Sequence, residues 1–355
     1  MKRIGILTSG GDSPGMNAAV VAAARSAALY DMEVIGIKRG YNGLVRGNDN
    51  TLNDSIHLDM ETILDIADQP GTFLRTARCI EFLNPDVRKK AVERLVATNI
   101  EGLIVIGGDG TFKGAREICD MGIPCVCIPG TIDNDLAYTE YTMGYDTAVN
   151  ICVNAVRMIR ATSRSHDRVA VVEVMGRHCG DLALRTAVCT GAEIVIVPEI
   201  PWNVYQIAER ISYMMEKGDT RATVIVAEGV FKNQSMEPFN AFEMLSSYDA
   251  GYHKTHSPNE PMSSTMLANV LRFMCPGCDA RATVLGYIQR GSPPYAYDAA
   301  FAFEAGYLAA KLLNSGVSEQ VIGMRNGKIF YMPIRDALQI KLSFDTATYN
   351  LINSL

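Results

Sequence analysis

The chain has 355 residues, of which 48% are apolar and 20% charged, with a net charge of −6. That composition supports one large or two medium domains with a sizeable core and excludes a wholly disordered chain. The acidic balance argues against a general nucleic-acid binder, since a phosphate backbone demands a basic face, but it leaves room for a local basic pocket around a small phosphorylated ligand.

The chain opens MKRIGILTSGGDSPGMN, where glycines interrupt the apolar run within a few residues. That run is too short for a signal-peptide core, and no apolar stretch reaches transmembrane length. A soluble, cytoplasmic protein with no membrane partner is therefore expected. Nine cysteines, with no export signal, predict reduced and mostly buried thiols. After the first strand, IGILTS, the Ala-rich stretch SPGMNAAVVAAARSAALY predicts a helix starting near Ser13–Pro14, because proline suits the first helical turn. EVIGI predicts a strand and RGYNGL a turn. VRKKAVERLVATNI has helical periodicity, GLIVIGGDG reads as strand and loop, TFKGAREICDMG as helix, and CVCIPGT as strand. The second half repeats the rhythm, from the long helix in TMGYDTAVNICVNAVRMIRATS through the strands RVAVVEVMG, IVIVPE and ATVIVAEG. Fully apolar strands alternating with helices predict an α/β protein with two doubly wound, Rossmann-like lobes and mainly parallel sheets. Residues 1–143 plus 289–339 are expected to form the first lobe and 144–288 plus 340–355 the second. The second includes an excursion at 231–279, where the rhythm fails and one or two helices are expected.

Two glycine-bearing loops carry the chemistry. Gly10 and Gly11 end the first strand before a helix, where backbone N–H groups and the helix dipole attract anionic oxygens. In VIGGDGT, Gly107 and Gly108 are expected to turn the backbone sharply and to remove the Cβ atoms that would obstruct a phosphate. Asp109 sets a carboxylate beside that phosphate, and two neighbouring anions imply Mg²⁺ between them. Gly110 leaves room for a bulky ligand, and Thr111 opens the next helix. At the end of another strand, PGTIDND places Asp133 and Asp135 around Asn134, a pair able to accept a proton or hold a metal. The same cluster is also common loop-capping chemistry.

The segments ILTSGGDSPGMNAA, GTFLRTAR, VIGGDGTFKGA, PGTIDNDLAYT, VAVVEVMGRHCGDLAL, VAEG and RATVLGYIQRG together resemble the 6-phosphofructokinase family, most closely its ATP-dependent bacterial type. The resemblance implies an active site between the two lobes and transfer of the ATP γ-phosphoryl group to the 1-hydroxyl of fructose 6-phosphate, the committing step of glycolysis. It implies Asp133 as general base, helped by Thr131 and Asp135, and Asp109 as the metal-associated carboxylate. Gly11, Tyr41, Arg78, Cys79, Gly108, Gly110 and Thr111 fall at nucleotide positions, with Arg78 also offsetting charge on the moving phosphoryl group. Met175, Gly176, Arg177 and Glu228 fall at sugar positions. Arg168, Arg281 and Arg290 fall where the 6-phosphate is gripped, and Tyr287 falls on the same side. In the family, the residues matching Arg168 and Arg281 reach in from a neighbouring subunit, which implies a homo-oligomer, usually a tetramer. Pyrophosphate-using relatives usually carry an Asp at the position of Gly110 and a Lys at that of Gly130. Two glycines here favour ATP on steric grounds.

The sequence departs from that pattern in places. Tyr287 replaces a usual histidine, and Gly291, Ser292 and Pro293 shift a usual GGSP. Arg25, Arg160, Lys217 and Arg221 could make a basic effector pocket. Val21 and Asp219, however, stand where basic residues are common, which disfavours an anionic effector. His253 and His256, with Cys275 and Cys278, form a possible zinc set, set against a simple turn with buried thiols. GGDGT loops also occur in NAD kinases and diacylglycerol kinases, which lack the PGTIDND and MGR segments in this arrangement. A pyrophosphate-dependent enzyme or a non-catalytic nucleotide-binding paralogue are the other readings.

Overall fold

The computed structural model describes residues 1–46, 51–52, 54–231, 241–248 and 262–354. The chain divides into two compact units, Met1–Ala148 with Arg290–Ser343, and Val149–Gln289 with Phe344–Leu355.

The first unit is built on a seven-stranded sheet. Its strands are β1 Arg3–Thr8, β2 Glu33–Ile37, β3 Ser55–His57, β4 Gly102–Gly107 and β5 Cys125–Pro129, joined by a late hairpin from the chain's end. In the second unit β6 Arg168–Val174, β7 Ile194–Ile196, β8 Thr223–Ala227 and β9 Asp279–Val284 form a four-stranded sheet. The hairpin consists of β10 Gln320–Arg325 and β11 Lys328–Pro333. The first sheet runs β11-β10-β5-β4-β1-β2-β3, parallel except for β3 and β11 at its two edges. The second runs β7-β8-β6-β9 and is parallel throughout. Strands β4, β5 and β8 are buried along their whole length. That burial is why their sequences show continuous apolar runs rather than alternation.

Local chemistry explains several helix boundaries. Asn84 caps the helix Pro85–Ala97 by accepting from the Asp86 N–H at 2.9 Å, with proline at the first position. The Ala-rich helix Met16–Ala28 lies against the helix Ala296–Asn314. A methyl at Gly306 would stand 2.4 Å from the Ala19 carbonyl oxygen, so small residues set that close approach.

Two sequence expectations change. The first helix begins at Met16, not at Ser13–Pro14, because Gly15 adopts φ 101° and holds the preceding loop open. RGYNGL is a short helix, Tyr41–Val45, entered through left-handed Arg39 and Gly40. Strand β4 passes into the helix Asp109–Asp120 through Gly108 alone, with no positive φ at Gly107 or Gly108. Within the excursion the described helices are Ala241–Tyr248 and Ser264–Met274. All nine cysteines are free, six of them buried. No described helix is long and apolar enough to cross a membrane.

Candidate active site

In the first unit the chain leaves β1 towards β2 on one side, while β4 and β5 lie on the other. The carboxyl ends of β1 and β4 therefore flank the point where strand order reverses, the usual place for a ligand crevice in an open parallel sheet. Both glycine-bearing loops start there, and they touch. Ser9 N–H donates to the Ile106 carbonyl at 2.9 Å, and Thr111 Oγ1 donates to the Ser9 carbonyl at 3.2 Å. A methyl at Gly107 would lie 2.4 Å from the Ser9 oxygen, so its glycine is a packing requirement. Gly108 and Gly110 differ. A methyl at Gly108 would approach nothing closer than Thr131 at 3.8 Å, and one at Gly110 would meet nothing within 4 Å. No protein atom demands glycine at these two positions, so their open space is available to a ligand.

The third loop follows β5. Gly130 N–H donates to the Gly107 carbonyl at 3.0 Å, joining it to the β4 loop. Asp133 is buried at 4% exposure, and its backbone N–H donates to Thr131 Oγ1 at 3.2 Å. Asn134 adopts φ 51°, a left-handed conformation that asparagine tolerates better than most residues. Asp109 and Asp135 line one small cavity of about 70 Å³ together with Phe112, Leu136 and Tyr138. Asp109 opens the helix Asp109–Asp120, half-exposed, with Lys113 Nζ 2.6 Å away.

The remaining residues expected to meet a nucleotide take distinct positions. Residues around Arg78 fold over the β1 loop. Gly10 N–H reaches the Ala77 carbonyl at 3.4 Å, and Thr76 Oγ1 donates to the Gly10 carbonyl at 3.1 Å. The Arg78 side chain is exposed, and Cys79 is half-buried at the start of a short turn. Tyr41 is buried, stacks on Phe82 at 4.2 Å between ring centres, and donates its hydroxyl to the Thr111 carbonyl at 2.5 Å. Burial pushes its phenol well above the ordinary range. Tyr41 thus supports the β4 loop from beneath.

Within the second unit, the residues assigned to sugar phosphate fall at more than one place. Met175, Gly176 and Arg177 follow β6, and Glu228 follows its neighbour β8. Gly176 has φ 130° and Arg177 φ 54°, and the Arg177 N–H donates to Glu228 Oε1 at 3.1 Å. Tyr287 lies 82% exposed in the turn after β9. Arg168 opens β6, about 20 Å by strand geometry from its last residue Val174, and Arg281, on β9, lies level with Ala170. There both grip Asp279, with Arg168 Nε at 2.6 Å and Arg281 Nε at 2.8 Å. Arg168, and secondarily Arg281, hold the Asp279 carboxyl below its ordinary value. Arg290 belongs to the first unit, where its guanidinium lies 3.3 Å from Asp12 Oδ1 and 3.2 Å from where a Gly11 methyl would be. It accompanies the β1 loop.

Sequence reasoning missed several supports. Gln289, fully buried, accepts from the Met175 N–H at 3.1 Å and donates to the Gly286 carbonyl at 2.9 Å, steadying the MGR segment. Glu199 accepts from the Gly180 N–H at 2.7 Å, and burial pushes its carboxyl up. A lone Gln or Glu in an apolar sequence carries no local signal of that kind. Asp12 does follow the first glycine pair directly, which is a signal that was available.

Residues 3–313 match the family described as phosphofructokinase. The chain belongs to that family. An ATP-dependent 6-phosphofructokinase 1 of Clostridium perfringens (strain 13 / Type A) is 42% identical over 355 residues, covering 100% of this chain and 99% of that protein. Phosphofructokinase of Pichia pastoris in the T-state superposes with a TM-score of 0.82 at 30% identity, over 99% of this chain and 39% of that one. Phosphofructokinase from Saccharomyces cerevisiae gives 0.78 at 31% identity, over 100% and 48%. This chain thus spans less than half the length of either yeast chain.

For a phosphofructokinase-family site the carboxylate pair also passes a chemical test for Mg²⁺. Asp109 and Asp135 offer hard oxygen donors to one cavity, the ligand type this ion takes alongside substrate phosphates. The effector set is less open. Val21 is buried, Arg160 donates to the carbonyls of Thr190 and Gly191 and to Glu193, and Arg221 pairs with Asp219 at 3.1 Å. The zinc reading rests half on His253 and His256, which lie outside the described residues. Cys275 is buried with Sγ 3.3 Å from the Ala208 carbonyl, and among the described residues no group of three metal-ligating side chains is found.

Proposed function

We propose that this chain phosphorylates fructose 6-phosphate at its 1-hydroxyl with ATP, giving fructose 1,6-bisphosphate and ADP. The observation that carries the reading is the junction of three strand-end loops in the first unit. Gly108 and Gly110 are open to a ligand, and Asp133 lies buried on the adjoining loop. Asp133 takes the proton of the 1-hydroxyl as that oxygen bonds to the γ-phosphorus and the bond to ADP breaks. Thr131 Oγ fixes the turn by accepting the Asp133 N–H. Arg78 offsets charge on the moving group, and Gly11 offers a backbone donor to phosphate oxygens, while Thr111, whose N–H goes to the Gly108 carbonyl at 3.0 Å, fixes the loop through Oγ1 on Ser9. Asp109 and Asp135 would hold Mg²⁺, which neutralises phosphate charge when bound.

In the second unit, Met175, Gly176, Arg177 and Glu228 are the sugar-binding set. Arg168 and Arg281, towards the start of β6 and β9, suit a neighbouring copy's 6-phosphate in a homotetramer. Arginine's planar fork matches phosphate oxygens in pairs. ATP is favoured over pyrophosphate because the space at Gly110 is open, while a side chain at Gly130 would have to push its neighbours aside. A methyl there would already stand 3.0 Å from Ile106 and 3.1 Å from Met16. A cytoplasmic, glycolytic setting accords with this chemistry.

A coupled assay with fructose 6-phosphate, comparing ATP with pyrophosphate, tests the reading. ATP should support turnover, and Asp133→Ser should lose about 10²-fold or more of it while sugar-phosphate binding persists. Turnover with pyrophosphate alone, or a fully active Asp133→Ser, would refute the respective assignment.

A further inference from the structure

The Asp133 turn does not hold itself in place. It is laced to the returning strand of chain, where Thr131 N–H donates to the Met143 carbonyl at 3.2 Å and Met143 N–H donates to the Pro129 carbonyl at 2.9 Å. Thr142 Oγ1 donates to the Thr131 carbonyl at 2.7 Å and lies 3.4 Å from Asn134 Oδ1. Residues 141–147 are held in turn by one carboxylate, that of Asp298, in the first turn of the helix Ala296–Asn314 and 0% exposed. Its Oδ1 accepts from the Tyr141 hydroxyl and the Gly144 N–H. Its Oδ2 accepts from the Thr147 N–H at 2.8 Å and from Thr147 Oγ1 at 2.6 Å. Thr147 Oγ1 also accepts the Tyr295 N–H at 2.9 Å. Gly144, at φ 100°, packs where a methyl would stand 2.6 Å from Ser13 Cβ, so the same segment abuts the end of the β1 loop.

A fully buried carboxylate is costly unless its lone pairs are met. Four donors meet them here, and two are backbone N–H groups at the start of the helix Tyr145–Ser165, whose dipole favours a negative charge. Burial pushes the carboxyl up, while the donors pull it back down. We propose that Asp298 is the positioning residue of the phosphoryl-transfer site, fixing the 141–147 segment and through it the placement of the Asp133 carboxylate.

This assignment rests on the activity proposed above. It predicts a specific failure for Asp298→Asn. Each carboxylate oxygen serves one backbone N–H, and an asparagine has one carbonyl oxygen. Whichever way the amide is turned, its NH₂ faces a backbone donor that cannot rotate away, so Gly144 or Thr147 must shift. Displacing a reacting group by about 1 Å costs up to about 10²-fold in rate. Asp298→Asn should therefore lower kcat by about 10- to 100-fold per mole of folded protein, with KM for ATP and for fructose 6-phosphate within about threefold of the parent.

A role in stability alone would lower melting temperature without that kcat-against-KM split. A folded variant with kcat within about twofold of the parent, or with its loss carried by KM, overturns the proposal. Should Asp298→Asn not fold, Tyr141→Phe decides. It removes one donor and keeps the ring against Tyr297 at 4.6 Å and Phe301 at 5.6 Å. A fall in kcat of about threefold at constant KM supports the role, and unchanged kcat refutes it. The parent chain is the control, because absent parent turnover sinks the functional reading, whereas a normal parent with an unimpaired variant sinks only the role of Asp298.

Discussion

Gly229→Ala tests the sugar-side geometry most directly. The glycine sits in the short turn Glu228–Phe231, directly beneath Arg177. A methyl there would lie 1.8 Å from the Arg177 carbonyl oxygen and 2.9 Å from its carbonyl carbon. Real Cβ atoms do not approach below 3.0 Å, so the Arg177 backbone must retreat by about 1 Å or more. It cannot retreat freely, because Arg177 is already left-handed at φ 54° and its N–H is held by Glu228 at 3.1 Å. The shift therefore breaks that hydrogen bond and misaims a guanidinium and a carboxylate assigned to the sugar phosphate. A hydrogen bond to a charged group contributes about 1.5–3 kcal/mol, which corresponds to roughly 10- to 150-fold in affinity. Steady-state kinetics should show KM for fructose 6-phosphate rising by about that factor, with KM for ATP within about twofold. A folded Gly229→Ala protein with an unchanged fructose 6-phosphate KM would refute the sugar-binding assignment of Arg177 and Glu228.

Gly110→Asp should raise KM for ATP by about tenfold or more, while melting temperature stays within about 2 °C of the parent, because a Cβ there meets no protein atom within 4 Å and the carboxylate can extend into the open space. Arg94→Met should lower melting temperature by roughly 5–15 °C, about 2–4 kcal/mol, by calorimetry. The buried Arg94 guanidinium donates to the carbonyls of Leu44 and Val45, and a thioether leaves both unpaired. For Asp279→Asn, thermal melts across pH check the sign of the linkage. The folded-state carboxyl is held below its ordinary value of 3.8, so the pair with Arg168 and Arg281 stabilises the fold at neutral pH. That advantage over the variant should persist down to about pH 4 and vanish as pH falls below 3.8 through the folded-state value. An advantage that grew with acidity would contradict the ion-pair origin.

The alternation of apolar strands and helices was legible from residues alone, because parallel strands buried on both faces must be continuously apolar, as β4, β5 and β8 are. So was the local chemistry of the loops, since glycine beside carboxylate at a strand end has few physical uses. The edge strands β3 and β11 escaped notice because their residues are half-exposed and carry no strong period. Which glycines serve packing and which leave space was also hidden. Gly107 and Gly110 read alike in sequence, yet one would press a methyl on Ser9 and the other on nothing. The sites of Arg290, Gln289 and Asp298 depended on contacts between residues more than a hundred positions apart. Sequence periodicity and spacing report only what neighbours along the chain must do. Partners brought together by strand order are decided by the packed sheet, so only the tertiary structure could assign a buried acid in a helix's first turn to the support of a distant loop.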